Sequence, residues 1–293
     1  MALARRANVP PVVVALTVVA LGTSLPELIV SLRAVIEGHP GIVLGNVVGS
    51  NIANVLLVGG VSAIVYPLAH PGRGIRRDAA IMMVASIFFV LLCLFDGLDP
   101  SGGMILLVGL VAALTPTVRE AAQMQKAGEV TVLTEIVLSL PTRRRLITFF
   151  IVVGLITLPL GARIVVENAV EIATALGVTD TVIGLTIIAF STSLPELATT
   201  AMAAYKRHTE VAVGTIVGSN IFNLLAIMGV AALMSPFGIR VPESFPYLDL
   251  PVMMAAALMV AILAWMRKPL GRPLGAILAL TYVAYIIAVF FLA

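Results

Sequence analysis

The stretch GTSLPEL at residues 22–28 recurs as STSLPEL at residues 191–197. A second pair follows the first, because GNVVGSNIANVLL at 45–57 recurs as GTIVGSNIFNLLA at 214–226, and both pairs are offset by 169 residues. Over the 59 positions that align around these motifs without a gap, 25 are identical. Unrelated apolar stretches would share Leu, Val and Ala, but not these polar motifs in one register. The sequence therefore contains an internal duplication.

The composition is typical of an integral membrane protein. Of the 293 residues, 60% are hydrophobic and 11% are charged, and the mean hydropathy is +1.11. Soluble domains are about 45–50% apolar and about 25% charged. The single cysteine, Cys93, excludes a disulfide scaffold, and the scarcity of charge excludes a disordered chain. The Lys and Arg residues lie between long apolar runs and form no single basic face, so we expect no nucleic-acid partner.

Nine apolar runs are long enough to cross a bilayer core of about 30 Å as helices. They cover residues 11–36, 41–66, 79–95, 101–118, 145–168, 179–204, 211–235, 248–266 and 273–292. Nine crossings place 15 of the 18 Lys and Arg residues on one face, which predicts that this face is cytoplasmic. We therefore expect a multi-pass protein of the cell (inner) membrane, with its Lys/Arg-rich loops in the cytoplasm.

The duplication predicts two repeats of opposite orientation. Five spans separate each motif from its copy, and because five is odd the second copy lies upside down, as in many secondary transporters. The offset places the counterpart of span 145–168 before Met1, so we expect the opening helix of the first repeat to be absent. The expected fold is an all-α polytopic membrane protein with two inverted repeats of five helices, of which nine spans are present. The first repeat would occupy 1–118, a cytoplasmic linker 119–144 and the second repeat 145–293.

Two carboxylates mark the candidate functional site. Glu27 and Glu196 lie near the middle of apolar spans, where an ionised group is costly unless it is protonated, paired or bound to a cation. No Lys or Arg lies at comparable depth in these spans or in the spans that follow them. The pair therefore indicates exchangeable cations or protons. A permanently protonated Glu, hydrogen-bonded within the bundle, is the alternative, and it explains one such residue better than a symmetric pair.

Further oxygen ligands surround the two carboxylates. Pro26 and Pro195 have no N–H, so the carbonyls of Gly22 and Ser191 lose their helical donors. Hydroxyl and amide groups on the same spans and on the spans that follow add to the set, since residues four apart share a helix face. The side chains that we expect to converge are Thr23, Ser24, Glu27, Ser50 and Asn54, with Thr192, Ser193, Glu196, Ser219 and Asn223 from the second copy. All are hard oxygen donors, which suit Ca²⁺ better than a transition metal.

At these residues the sequence resembles the sodium/calcium exchanger family of the calcium/cation antiporter superfamily, in its bacterial and archaeal form with two α-repeats. The resemblance extends over nearly the whole chain in span order. It implies ten helices, a site at the middle of the membrane formed by the second, third, seventh and eighth helices, and exchange of Na⁺ against Ca²⁺ by alternating access. It also implies that the ion ligands are the ten residues above together with the backbone carbonyls of Ala20 and Ala189.

Two departures from the family pattern qualify these expectations. We expect the first helix of the family to be missing from this sequence, and that departure bears on whether the chain is active as written. Asn223 stands where some members, notably the potassium-dependent branch, carry Asp, so the site has two carboxylates in place of three. K⁺ co-transport is therefore disfavoured.

Other functions remain open from the sequence. A Ca²⁺/H⁺ antiporter could use the same carboxylates, and a passive cation channel could use the same oxygen ligands. A membrane-embedded enzyme is disfavoured, because no span contains a His or an HExxH motif and Cys93 has no polar partners on its span. We expect Ca²⁺ and Na⁺ (or H⁺) as transported ions, no cofactor, the lipid bilayer as surroundings, and action as a monomer.

Overall fold

The computed structural model describes residues 20–68, 73–95, 98–126 and 144–292. The described residues are almost entirely helical, and their only β pairing is an isolated bridge between Leu68 and Leu270. The helices are α1 (Ala20–Thr23), α2 (Leu25–Ile36), α3 (Pro40–Val65), α4 (Arg73–Leu94), α5 (Pro100–Lys126), α6 (Arg144–Leu176), α7 (Asp180–Thr192), α8 (Leu194–Tyr205), α9 (Thr209–Met234), α10 (Asp249–Met266) and α11 (Arg272–Leu292).

Within the described residues, six helices are long and apolar enough to cross a membrane: α3, α4, α5, α9, α10 and α11. The count becomes seven if α7 and α8, which meet at a bend of 43°, form one broken span. The prediction of an all-α polytopic membrane protein is confirmed at this level, and the count of nine spans stays a prediction. Of the predicted span 11–36, residues 11–19 lie outside the described part, and the predicted span 145–168 lies within α6, a helix of 33 residues.

Both copies of the LPE motif begin a new helix. A single residue, Ser24, separates α1 from α2, and Ser193 likewise separates α7 from α8. Pro26 and Pro195 lie at the second position of the new helix, where the missing N–H costs no internal hydrogen bond. In both copies the proline therefore lies where one helix stops and the next starts, two residues after the separating serine and one residue before the glutamate.

Within the part of the chain that the structure describes, three helices contain a widened, π-helical segment. These segments are Asn54–Gly59 in α3, Gly184–Ile188 in α7 and Asn223–Ile227 in α9. Two of them begin at Asn54 and Asn223, which occupy equivalent positions in the two copies of the sequence. Such segments are frequent at functional sites, because they turn side chains away from the regular helical face.

Helices α3 and α9 form the centre of the bundle. In their most apolar windows 83% and 78% of the residues are buried, against 17–33% in the other four spanning helices, whose exposed faces are apolar and suited to lipid. Helix α3 lies directly against α7 along Gly41, Gly45 and Gly49, and an added Cβ on Gly45 would lie 2.7 Å from the Leu185 nitrogen. The glycines of this Gly-x-x-x-Gly motif therefore let the two helices approach closely, and the contact brings the two motif regions together.

The predicted linker is only partly within the described residues. Helix α5 continues to Lys126, so the first residues of 119–144 are helical. Residues 127–143 lie outside the described part, and α6 begins at Arg144. The division of the chain into two repeats stays a prediction.

Candidate ion-binding site

The residues predicted as ligands lie at the ends of α1 and α7, the starts of α2 and α8, and the middle of α3 and α9. Nine of the ten side chains are buried: Ser24, Glu27, Ser50, Asn54, Thr192, Ser193, Glu196, Ser219 and Asn223. Thr23 is half-buried. Ala189 is buried in α7, and Ala20 is the first residue of α1. The broken helices and the central pair thus bury nine of the ten side chains inside the protein.

Contacts across the two copies bring the side chains together. Ser24 Oγ donates a hydrogen bond to Glu196 Oε1 at 3.1 Å. Glu27 lies close enough to Glu196 for the two carboxylates to repel each other, and Thr192 lies beside Glu27. Thr23 and Ser219 lie beside Glu196. Side chains from both motif regions therefore share one cluster.

Most of the polar atoms on the ten predicted side chains have no hydrogen-bond partner. The atoms are both carboxylate oxygens of Glu27, Oε2 of Glu196, the side-chain oxygens of Asn54, Ser193 and Ser219, and both side-chain polar atoms of Asn223. A buried polar atom without a partner costs about 1–3 kcal/mol, and more if it is charged. So many unpaired oxygens among the predicted ligands, contributed by helices that are far apart in sequence, indicate a site for a ligand that bonds to oxygen.

The charge of the cluster indicates that the ligand is a cation. Glu27 and Glu196 take part in none of the ion pairs between described residues, which lie at Arg33–Glu37, His39–Asp180, Arg77–Asp78 and Arg163–Glu167. Two buried carboxylates without a basic partner are not stable as a charged pair in an apolar bundle. A bound cation would neutralise them and would also satisfy the unpaired hydroxyl and amide oxygens.

The donor set favours a hard cation. In the part of the chain that the structure describes, no group of three or more His, Cys, Asp or Glu side chains is placed to hold a metal ion. The cluster has two carboxylates, and its other oxygens are neutral. Ca²⁺ accepts 6–8 such oxygens in flexible geometry, and Na⁺ binds the same kind of atom. A redox or thiolate-bound metal does not fit these residues.

The sequence analysis missed Asn46, which lies at the centre of the cluster's hydrogen bonds. Its Nδ2 donates to the Glu27 carbonyl at 3.2 Å and to Ser31 Oγ at 3.0 Å. Its Oδ1 accepts from Thr192 Oγ1 at 3.1 Å and from Ser50 Oγ at 3.4 Å. Asn46 therefore holds parts of α2, α3 and α7 in one arrangement. The signal in the sequence was a break in the repeat, since the second copy has Thr215 at this position.

Comparisons with known proteins identify the family of the chain. The family model described as sodium/calcium exchanger protein matches residues 1–115 and 146–291. The inner membrane protein YrbG of Escherichia coli (strain K12) is 36% identical, over 99% of this chain and 90% of its own length. The sodium/calcium exchanger MaX1 of Methanosarcina acetivorans is 30% identical, over 99% of this chain and 92% of its own length.

A solved structure shares the fold. The sodium-calcium exchanger NCX_Mj, soaked with 100 mM Na⁺ and 10 mM Sr²⁺, superposes with a TM-score of 0.68 at 30% identity, and the match covers 98% of this chain and 89% of that one. The family match spans most of the sequence, and it includes both motif regions and all the helices that surround the buried carboxylates. The chain is a multi-pass membrane protein that belongs to the sodium/calcium exchanger family.

Proposed function

We propose that the protein exchanges Ca²⁺ for Na⁺ across the membrane at a site that contains Glu27 and Glu196. The observation that carries this proposal is the cluster of buried oxygens without hydrogen-bond partners on both carboxylates and on Asn54, Ser193 and Ser219. Membership of the sodium/calcium exchanger family supports the choice of ions. The proteins named as exchangers match this chain along almost its whole length.

The proposed ligands are the carboxylates, the hydroxyls and amides around them, and two backbone carbonyls. They are Ala20, Thr23, Ser24, Glu27, Ser50 and Asn54, with Ala189, Thr192, Ser193, Glu196, Ser219 and Asn223. Glu27 and Glu196 supply the charge that Ca²⁺ requires, and the neutral oxygens complete its coordination. For Na⁺, the hydroxyls and the carbonyls offer separate positions around the same two carboxylates.

Antiport follows from competition for the two carboxylates. One Ca²⁺ neutralises both, and so do monovalent ions, but the two sets cannot bind together. The empty site retains two buried negative charges, which makes passage through a closed state costly. The protein therefore changes its orientation only when it is loaded, and each crossing of one ion requires the return of the other.

Inverted symmetry would give outward-facing and inward-facing states of similar energy. Equivalent close contacts on both sides of the bundle support it. Where α3 meets α11, an added Cβ on Gly60 would lie 2.7 Å from the Gly275 carbonyl oxygen. Where α5 meets α9, an added Cβ on Gly103 would lie 2.7 Å from the Gly229 carbonyl oxygen. Gly60 and Gly229 are 169 residues apart, as are the motifs. In this proposal the nine spans form two inverted repeats, and the Lys/Arg-rich loops lie on the cytoplasmic side of the inner membrane.

Counter-ion dependence distinguishes the proposed exchange from its rivals. The protein is reconstituted into vesicles, and uptake of ⁴⁵Ca²⁺ is measured under three conditions. The first has an outward Na⁺ gradient from internal Na⁺, the second has a pH gradient alone, and the third has neither gradient. We expect uptake only with the Na⁺ gradient. The rate of that uptake should be the same whether the medium contains K⁺ or choline. Uptake driven by pH alone would indicate a Ca²⁺/H⁺ antiporter, and uptake with neither gradient a passive channel; either result would overturn the proposal.

A further inference from the structure

Three asparagines form a directed chain of hydrogen bonds where α3 crosses α9. Asn54 Nδ2 donates to Asn220 Oδ1 at 3.1 Å, and Asn220 Nδ2 donates to the backbone oxygen of Asn51 at 3.3 Å. All three side chains are at most 3% exposed. These hydrogen bonds join the two copies of the motif, because Asn220 belongs to the second copy and Asn51 and Asn54 belong to the first.

The direction of this chain is fixed at one end by the backbone. A carbonyl oxygen can only accept a hydrogen bond, so the group of Asn220 that faces Asn51 must be its NH₂. The oxygen of the Asn220 amide then faces Asn54 and can only accept, so Asn54 must present its own NH₂ to it. The Asn54 oxygen is left on the opposite side of its amide, buried and without a hydrogen-bond partner.

We infer that Asn220 is a positioning residue that holds the Asn54 amide with its oxygen available to the transported cation. An amide that rotated by half a turn would present two N–H groups to the ion, which repels them. A fixed amide avoids this and costs no reorganisation when the ion binds. The inference rests on the proposed function, because it assigns a role at the same ion site, and it adds a residue that coordinates no ion itself.

The repeat counterparts are arranged differently. Asn51 is the counterpart of Asn220, but its Nδ2 donates to the Val47 carbonyl of its own helix at 2.7 Å. Asn223 is the counterpart of Asn54, and neither its oxygen nor its nitrogen has a hydrogen-bond partner. The structure thus orients one of the two amides of the site by hydrogen bonds and gives the other amide none. Asn51 therefore provides a matched control for Asn220, with the same side chain at the same position of the repeat.

The test compares Asn220→Leu in two backgrounds. In the otherwise unchanged protein we expect the variant to raise the KM for ⁴⁵Ca²⁺ uptake about tenfold, in the range usual for residues that orient a metal ligand, with the maximal rate changed less than about twofold. In an Asn54→Ala background no amide remains for Asn220 to orient. There the same change should alter the KM less than about twofold. Asn51→Leu, the control, should leave the KM within about twofold of the unchanged protein.

Equal effects of Asn220→Leu in both backgrounds would overturn the inference, because damage to packing does not depend on which group stands at 54. An unchanged KM in the first background, or an equal effect of Asn51→Leu, would also overturn it. If the leucine variant is not recovered from the membrane, Asn220→Ala serves for the same comparison. Failure of the proposed function is recognised separately, because the unchanged protein would then show no Na⁺-driven uptake at all.

Discussion

Ser24 Oγ donates a hydrogen bond of 3.1 Å to Glu196 Oε1, although the two residues are 172 positions apart in the chain. The equivalent pair, Ser193 and Glu27, makes no such bond, and the Ser193 hydroxyl and both Glu27 oxygens have no hydrogen-bond partner. The two copies of the motif therefore contribute to one cluster, but the symmetry of the sequence does not extend to its hydrogen bonds. One carboxylate is held by a hydroxyl from the opposite copy, and the other remains open.

This difference predicts opposite behaviour for two equivalent serines. Ser24→Ala leaves another oxygen of Glu196 unpaired, so it should lower the stability of the ion-free protein by about 1–3 kcal/mol. Ser193→Ala removes a hydroxyl that is already unpaired, so it should leave that stability unchanged or raise it. The measurement is thermal unfolding in detergent with a chelator present.

Addition of Ca²⁺ provides the control for the serine pair. If both hydroxyls are ligands, each variant should show a smaller rise of the unfolding temperature with Ca²⁺ than the unchanged protein. Equal destabilisation of the ion-free protein by the two substitutions would contradict the asymmetry of the hydrogen bonds.

The contact of α3 with α7 predicts that Gly45 tolerates no side chain. In Gly45→Ala the new Cβ would lie 2.7 Å from the Leu185 nitrogen and 2.9 Å from the Gly184 carbonyl carbon, both of which are backbone atoms. The helices would have to separate, at a cost of about 1–3 kcal/mol or more. We expect a lower unfolding temperature and weaker Ca²⁺ uptake, since the same contact positions Thr192 and Asn46.

Gly109→Ala is the matched control for that substitution. Its Cβ would make an ordinary contact of 3.7 Å with Leu225 Cδ2, and alanine favours a helix by about 1 kcal/mol over glycine. The unfolding temperature should stay the same or rise. A Gly45→Ala protein as stable as Gly109→Ala would show that α3 and α7 do not pack this closely.

A buried hydrogen bond outside the site predicts a purely structural effect. Tyr285 Oη donates to Asp249 Oδ1 at 2.7 Å and joins α11 to the start of α10, and both side chains are at most 4% exposed. Tyr285→Phe should lower the free energy of unfolding by about 1–3 kcal/mol, because the carboxylate loses its donor. Tyr205→Phe, at a tyrosine that is 73% exposed, should have no such effect in the same unfolding assay.

The KM for Ca²⁺ distinguishes this bond from the ion site. It should be unchanged in Tyr285→Phe at temperatures where the variant is folded. A selective loss of Ca²⁺ affinity with normal stability would mean that Asp249 belongs to the transport pathway.

The residues of the candidate site could be proposed from the sequence, because few physical solutions exist for them. A glutamate in an apolar span is stable only where it faces the interior, and a proline removes one hydrogen bond from the helix that precedes it. From Glu27, Glu196 and the two prolines it follows that polar residues from both copies lie inside the bundle. The spacing of four residues from Ser50 to Asn54 then places both on one helix face.

Features that depend on how two helices meet could not be predicted in this way. The bond from Tyr285 to Asp249 and the central position of Asn46 depend on the relative rotation of neighbouring helices, which a periodic apolar pattern does not specify. The hydrogen bond of Asn220 with Asn54 is of the same kind, since both residues look equivalent to their copies in sequence. The π-helical segments could not be recognised in the sequence either, because a run such as NVLLVG has the composition of an ordinary helix.

The two carboxylates provide the most direct test of the account. Na⁺-driven ⁴⁵Ca²⁺ uptake is measured in vesicles that contain the unchanged protein, Glu27→Gln, Glu196→Gln, or the control Glu210→Gln, which makes the same chemical change at an exposed position at the start of α9. The account predicts that uptake is lost in both site variants and unchanged in the control, because one remaining carboxylate cannot neutralise Ca²⁺. Robust Na⁺-dependent uptake by either Glu27→Gln or Glu196→Gln would contradict it.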